Sequence, residues 1–249
     1  MKKIYYLWLR QIKKYLRSRP RLLGLLAQPI IFLVMFGYGF GNSFSGSGGN
    51  YLDYLAPGII GMSIIFTAIF SGLEVIWDKQ FGFLKETLVA PMPRTDVMIG
   101  RTIGTATAAT IQGMVVLVIS FFFGFQPVSW GAILPAILVM FLIALTFSAL
   151  GTVIGSLLDD MQAFPIIINF LIQPLFFLSG ALFTLQGLPS WLSFISRIDP
   201  LTYGVDALRV LLADIGHTDL GLGIDLVVLA ATSLFFVLLG GYFFNKIEA

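Results

Sequence analysis

The sequence is short of charged residues, has one histidine and lacks cysteine. Only 11% of the 249 residues are charged, whereas soluble domains contain about 25%. Without cysteine the chain can form neither a disulfide nor a thiolate nucleophile, and cysteine-based metal sites are excluded. His217 alone does not make a histidine-rich metal centre. The composition therefore excludes enzymes that use a cysteine nucleophile or a cysteine-bound metal. The scarcity of charge indicates a membrane protein.

Two further absences concern the energy source. The sequence contains no G-x-x-x-x-G-K-[ST] phosphate loop and no Gly-Lys pair, so we do not expect this chain to hydrolyse ATP by the usual machinery. The centres of its apolar segments also lack ionisable residues, which argues against a proton- or sodium-coupled carrier. A membrane enzyme would need carboxylates, histidine or cysteine gathered at one depth. We therefore expect no cofactor and no catalytic residue in this chain.

Long apolar runs dominate the rest of the sequence, which is 57% hydrophobic. A helix needs about 20 apolar residues to cross the hydrocarbon core. We therefore predict an all-α fold, a single transmembrane domain over residues 1–249 with six transmembrane helices. The predicted spans are residues 22–41, 56–76, 99–124, 133–157, 163–184 and 223–243.

The positive charges predict the orientation. Residues 1–21 hold eight Lys and Arg residues, the 77–101 segment holds four and the C-terminal tail holds one. The other two, Arg197 and Arg209, lie in the segment before the last span. Because cytoplasmic loops are enriched in Lys and Arg, we predict a multi-pass protein of the cell membrane with both termini cytoplasmic.

Two segments outside the spans show helical patterns. Residues 2–19 are basic and aromatic, and their apolar residues recur at helical spacing. This pattern predicts a helix in the headgroup plane that ends before Pro20, with a solvated basic arm as the alternative. Residues 185–222 are apolar, but neither of the two short helices that they predict is long enough to span. There, Ser190 and the Asp199–Pro200 pair are candidate helix starts. We predict short re-entrant helices before the last span, the alternative being an unstructured loop.

Residues 77–98 form a charged island between two apolar spans. Within it, Phe81, Leu84 and Leu88 fall on one helical face, and Lys85 and Glu86 lie beside them. This spacing predicts a short amphipathic helix. On the cytoplasmic side of a membrane protein, such a helix suits the docking of a soluble partner.

The spans contain small and neutral polar residues whose role is open. Asn169 and Gln173 share a face of the fifth span near Phe176, and Thr67 lies in the second span. These residues either line a central path for an amphiphilic substrate or join helices by hydrogen bonds. For the glycines of the third and fourth spans we expect close helix packing. They are Gly100, Gly104, Gly151 and Gly155.

Three segments, in this order, carry a family resemblance. They are WDKQFGFLKETLVAPMPRTDVMIGR after the second span, FPIIINFLIQPLFFLSGALF in the fifth, and LPSWLSFISRIDPLTYGVDALR before the sixth. Over nearly its whole length the chain resembles the membrane subunit of ABC exporters of the type-2 export permease (ABC-2) family. It is similar to daunorubicin-type drug-export and nodulation-factor-export permeases.

The resemblance implies a division of labour. Two copies of this chain would form the membrane path, and two copies of a separate ATPase would hold ATP and magnesium. The coupling helix would occupy roughly residues 81–89, with a smaller contact at Asp159, Asp160 and Met161. The implied substrate is a small amphiphile, drug, lipid or lipid-linked glycan moved outward, and no nucleic acid is involved. The alternatives are a secondary transporter, a membrane-embedded enzyme, or a membrane structural protein without a transport role.

Overall fold

The computed structural model describes residues 2–44, 51–81, 93–185, 189–215 and 221–247. In these ranges the regular elements are helices, and no strand is present. A 3-10 turn, Trp130–Ala132, precedes the sixth α-helix. The α-helices are α1 Lys2–Arg17, α2 Arg19–Phe44, α3 Tyr51–Ile69, α4 Ser71–Gln80, α5 Arg94–Phe122, α6 Ile133–Leu157, α7 Ala163–Leu178, α8 Ser190–Ile198, α9 Pro200–Ala213 and α10 Leu222–Asn245.

Four helical stretches in the described ranges are long and apolar enough to cross a membrane. They are Tyr51–Gln80, Arg94–Phe122, Trp130–Leu157 and Leu222–Asn245. The pair α1 and α2, which meet at 68°, counts as a fifth if it forms one bent span. Helix α7 is apolar but has only 16 residues, about 24 Å of helix against a hydrocarbon core of about 30 Å. The all-helical membrane fold is therefore confirmed, whereas the count of six spans stays a prediction.

Helix α3 is the central element of the bundle. It packs against α2, α5, α6 and α9. In the most apolar 18 residues of the stretch Tyr51–Gln80, 83% are buried inside the protein. Helix α10 is peripheral, since only 17% of its most apolar 18 residues are buried inside the protein. Because α10 is nevertheless strongly apolar, we expect its outer surface to face lipid.

Glycines allow α4 and α6 to touch through their backbones. A Cβ atom added at Gly72 would lie 2.2 Å from the carbonyl oxygen of Gly151, and one at Gly155 would lie 2.3 Å from that of Gly72. The Ser71 hydroxyl also donates to the Ser148 carbonyl at 2.8 Å. The predicted packing role of Gly151 and Gly155 is thus confirmed, in the manner of small-residue contacts between membrane helices.

Helix α1 runs alongside the first half of α5. Leu7 packs against Gly100 and Gln11 against Gly104, which confirms that these glycines serve packing. Farther along, the Trp8 indole donates to Thr107 at 3.0 Å. Helix α1 ends at Arg17, and α2 begins at Arg19, so Pro20 lies in the first turn of α2. A position of α1 in the headgroup plane stays a prediction.

Helix α7 and the turn after it connect the two ends of the bundle. Phe164, in its first turn, lies against Gly72 of α4. Beyond its other end, the carbonyl of Gly180 accepts a hydrogen bond from the Tyr54 hydroxyl, near the start of α3, at 2.9 Å. The helix ends at Leu178 rather than continuing to residue 184, because the chain turns at Gly180, which has a φ of 74°.

The two short helices predicted before the last span are both present. Asp199 accepts a hydrogen bond from the Leu201 amide at 2.9 Å and Pro200 follows it, so the predicted start of α9 is confirmed. Ser190, by contrast, is the first residue of α8 and follows the cap residue Pro189. Re-entry of these helices into the membrane stays a prediction, and His217 lies outside the described residues.

Candidate functional site

Helix α4 is tied to α1 and α5 by ionic contacts. The Glu74 carboxylate lies 3.3 Å from the Lys14 ammonium group and accepts a hydrogen bond from the Gln11 amide at 3.2 Å. One turn later, the Asp78 carboxylate lies 2.7 Å from the Arg101 guanidinium. Movement of the α4 terminus would therefore act directly on both neighbouring helices.

The same end of α4 also holds the loop that follows α6. The Lys79 ammonium group lies 3.0 Å from the Asp159 carboxylate. It also donates to the carbonyls of Ser156 at 2.8 Å and Leu158 at 3.1 Å. The last carbonyls of a helix have no partner within it and attract cations. Lys79 therefore caps the end of α6 and attaches it to α4.

Three of the residues predicted to couple the chain to a partner are described, and they lie at the C-terminal end of α4. Phe81 follows α4 directly, and 68% of its surface is exposed. Asp159 is exposed beside Lys79, and the Asp160 carboxylate accepts a hydrogen bond from the backbone N–H of Gln162 at 2.8 Å. The other predicted coupling residues, Leu84, Lys85, Glu86 and Leu88, lie outside the described residues. The docking role of the whole set stays a prediction.

A cavity of about 380 Å³ lies between α2, α3 and α7. Its volume is in the range of small-molecule sites, about 300–1,000 Å³. No residue of its described lining is charged. The lining residues are Gly24, Leu25, Gln28, Pro29, Met62, Ser63, Phe66, Phe70, Phe164, Pro165, Ile168, Asn169 and Gln173.

The four predicted path residues separate into two pairs in the structure. Asn169 and Gln173 both line the cavity. Phe176 and Thr67 are each 1% exposed within the bundle, and the Thr67 hydroxyl donates to the Ser63 carbonyl at 2.8 Å. Neither is part of the cavity lining. Whether any of the four contacts a substrate stays a prediction.

Sequence reasoning missed Gln28, which places a third amide on the cavity wall. The available signal was an amide side chain within an apolar span, as at Asn169 and Gln173. Phe66 and Phe70 gave no such signal, because phenylalanine is common throughout the spans. Their place on the wall depends on the rotation of α3 within the bundle.

The opposite end of the bundle is held by a buried arginine. Arg209 donates to the carbonyls of Tyr54 at 3.1 Å, Gly180 at 2.6 Å and Ala181 at 3.3 Å. Its guanidinium carbon lies 3.7 Å from the centre of the Tyr54 ring, within cation–π range. Arg209 therefore joins α9, α3 and the turn after α7.

Burial also affects the N-cap of α9. It raises the pKa of the Asp199 carboxyl group to about 7, because a buried carboxylate loses its hydration. The Asp199 carboxyl therefore changes its charge near neutral pH.

Long apolar helices, charged turns at one end and an uncharged cavity define a helical membrane protein with room for a small molecule. Residues 2–213 match the family model of the ABC-2 type transporters. The chain therefore belongs to the ABC-2 type transporter family, as its sequence predicted. Members of this family are transport permeases rather than enzymes.

Several curated proteins are similar over most of their length. The putative transport permease ycf38 of Cyanophora paradoxa is 28% identical, and the similarity covers 93% of this chain and 84% of that protein. Nodulation protein J of Rhizobium leguminosarum bv. trifolii is 30% identical, covering 79% and 74%. The inner membrane transport permease YadH of Escherichia coli K12 is 27% identical, covering 82% and 80%. These similarities identify this chain as a transport permease.

Proposed function

We propose that this chain is the permease subunit of an ATP-driven exporter, working as a homodimer above two copies of a separate ATPase. Membership of the ABC-2 family and the absence of a phosphate loop in the sequence support this division of labour. In this proposal the chain crosses the cytoplasmic membrane six times with both termini inside. Helix α7 and the turn after it form the fifth crossing.

The observation that carries the proposal is the 30-residue helical stretch Tyr51–Gln80, formed by α3 and α4. Phe66 and Phe70 of this stretch line the cavity, and Phe81 at its end begins the segment expected to dock on the ATPase. The Lys79–Asp159 ion pair holds this end to α6. Closure of an ATPase pair on ATP would displace the coupling segment, and the helix would transmit that displacement to the cavity wall.

The cavity lining favours an uncharged amphiphile as the substrate. Amides of Gln28, Asn169 and Gln173 offer donors and acceptors, whereas phenylalanines supply apolar surface. None of the described lining residues is charged, which weighs against a proton- or sodium-coupled carrier. A drug-sized amphiphile or one end of a lipid or lipid-linked glycan would suit this lining, and we propose outward movement.

The docking assignment is tested by Phe81→Asp. If Phe81 is part of an apolar contact with the ATPase, a buried aspartate there costs several kcal/mol and the complex should lose about 100-fold or more in affinity. The measurement is co-purification and titration with the partner ATPase once it is identified, followed by substrate-stimulated ATP hydrolysis in proteoliposomes. Leu84→Asp should have the same effect.

Phe122→Asp is the matched control, since Phe122 is 85% exposed at the opposite end of α5. It introduces the same charge in place of the same aromatic ring, far from the coupling segment. Normal binding and transport by the Phe81→Asp and Leu84→Asp variants would show that the coupling segment has been misassigned.

A further inference from the structure

The end of α10 is held by an arginine from the first turn of α5. The Arg94 side chain donates through Nη1 to the carbonyl of Asn245, the last residue of α10, at 3.1 Å. The same nitrogen donates to the carbonyl of Ile247 at 2.7 Å. The last carbonyls of a helix have no partner within it and attract cations. Arg94 therefore caps α10 from a neighbouring helix.

This contact accounts for an arginine at a place that its own helix disfavours. Arg94 is the first residue of α5 and directly follows the cap residue Pro93. A cation near a helix N-terminus is repelled by the partial positive charge there, whereas an acidic residue such as Asp96 suits that place. The favourable interaction of Arg94 therefore lies with α10 rather than with α5.

A small apolar cluster, separate from the main core, joins α4, α5 and the end of α10. Each of its fully buried members is at most 7% exposed, and these members are Val75, Val97, Met98, Phe244 and Ile247. Met98 also lies against Gly240, one turn before Phe244. Burial of these side chains holds the end of α10 against the two helices that precede and follow the predicted coupling segment, residues 81–89.

Towards its start, α10 contacts the opposite part of the bundle. The hydroxyls of Ser233 and of Thr146 in α6 form a buried hydrogen bond of 2.6 Å. Leu229, one turn nearer the start, packs against α9, since a Cβ atom added at Gly204 would lie 3.7 Å from its side chain. Helix α10 has 24 residues and is therefore about 36 Å long. It connects the end of the bundle that holds Arg94 to α9 at the other end.

We propose that Arg94 is a positioning residue for energy coupling, which ties the returning end of the coupling segment to α10 and transmits its displacement towards α9. This inference rests on the proposed function, because the displacement comes from the ATPase. Lys79 and Asp159 hold the departing end of the segment to α6, and Arg94 holds its returning end to α10. Movement driven by ATP would then reach the opposite end of the bundle along α10 as well as along α3 and α4.

The first measurement needs only the purified full-length chain. Tyr242 lies in the last turn of α10 and is 55% exposed. Tyr242→Cys therefore gives a single site for a nitroxide label in the cysteine-free sequence. Arg94→Gln should make this label more mobile in its electron paramagnetic resonance spectrum, because the end of α10 loses its cap. Arg94→Lys should retain the parent spectrum, since an ammonium group also donates to carbonyls.

Arg10→Gln is the matched control, since Arg10 is exposed on α1 and forms no hydrogen bond or ion pair with the described residues. It removes the same charge and should leave the spectrum of the label unchanged. Identical spectra for Arg94→Gln and its parent would overturn the proposal. Equal changes in the two arginine variants would also overturn it, because they would show a nonspecific effect of net charge.

The second measurement adds the partner ATPase, once it is identified, and compares the spectra before and after ATP and magnesium. ATP should change the spectrum of the Tyr242→Cys label in the parent. With Arg94→Gln this change should be lost, although the ATPase still binds and hydrolyses ATP. An equal response in both chains, or none in the parent, would overturn transmission through Arg94. Failure of the parent to bind the ATPase would instead overturn the proposed function, and the first measurement would still decide whether Arg94 holds α10.

Discussion

At the scale of single residues, Arg209 shows how one buried cation can organise an irregular part of a membrane protein. The turn after α7 exposes carbonyls that no helix satisfies, and a guanidinium has five donors in a fixed plane. Arg209 uses them on three carbonyls from two distant segments. Helices α8 and α9 are thereby attached to the start of α3.

Replacing Arg209 by Gln should destabilise the protein by about 3 kcal/mol, because buried carbonyls lose their donors. In a chain of this size, that loss corresponds to a fall in Tm of roughly 6–12 °C. Thermal unfolding in detergent measures it. Arg197→Gln, at an exposed position on α8, should change Tm by less than about 2 °C. Equal Tm values for the two variants would contradict a structural role for Arg209.

The sequence alone could not reveal this role. In the sequence, Arg209 was only one of two positive charges in the segment before the last span, and it entered only the prediction of orientation. Its partners are backbone carbonyls of residues 54, 180 and 181, and carbonyls carry no signature of residue type. By contrast, Asp199 followed by Pro200 is a local signal, and it predicted the start of α9 correctly.

At the scale of helices, the backbone contact between α4 and α6 fixes the helix that leads to the predicted coupling segment, residues 81–89. Gly72, Gly151 and Gly155 leave no space for side chains between the two helices. Close approach of this kind maximises dispersion contacts where the hydrophobic effect between helices is absent. The contact and the Lys79–Asp159 pair hold α4 along most of its length.

Gly155→Ala tests this contact. The added methyl group would meet the Gly72 carbonyl oxygen at 2.3 Å, and backbone cannot move aside as a flexible side chain can. Alanine favours a helix over glycine by about 1 kcal/mol, but overpacking costs about 1–3 kcal/mol or more. Because the added methyl group meets backbone, we expect a cost at the upper end of this range and a net loss of about 2 kcal/mol. The Tm should then fall by roughly 4–8 °C, with a loss of transport.

Gly241→Ala is the control, since a Cβ atom at this position of α10 meets no atom within 4 Å. It should leave Tm unchanged or raise it slightly, because only the helix preference remains. If the Gly155→Ala variant matched it, α4 and α6 would have to be separated in the native protein.

Helix positions were more predictable than helix ends. Each of the six predicted apolar segments overlaps a helix of the structure, because a helix that enters lipid must be apolar. The ends depended on local partners. Helix α4 continues to Gln80 through charged residues since Asp78 and Lys79 find partners on α5 and α6. Helix α7 stops at Leu178 near Ser179–Gly180, a stop signal that the sequence contained.

At the scale of the whole molecule, the structure separates two ends. Helices α8 and α9 lie at the end where α3 starts, since Arg209 contacts Tyr54. The α5–α6 turn is at the same end, because the Val128 amide donates to the Leu212 carbonyl at 3.0 Å. The turn after α6 is at the other end, beside Lys79. Helix α7 must therefore traverse the bundle despite its 16 residues.

This arrangement predicts the sidedness of three exposed positions, and the cysteine-free sequence makes each one testable without background. Gln126→Cys and Arg197→Cys should react with a membrane-impermeant maleimide in intact cells. Asp160→Cys should react only after permeabilisation, since the distribution of positive charges predicts that its end lies in the cytoplasm. Protection of Arg197→Cys alone would mean that α7 does not cross the membrane, so that the C-terminus would lie outside. Labelling in the reverse pattern at all three positions would instead invert the whole molecule and leave α7 as a crossing.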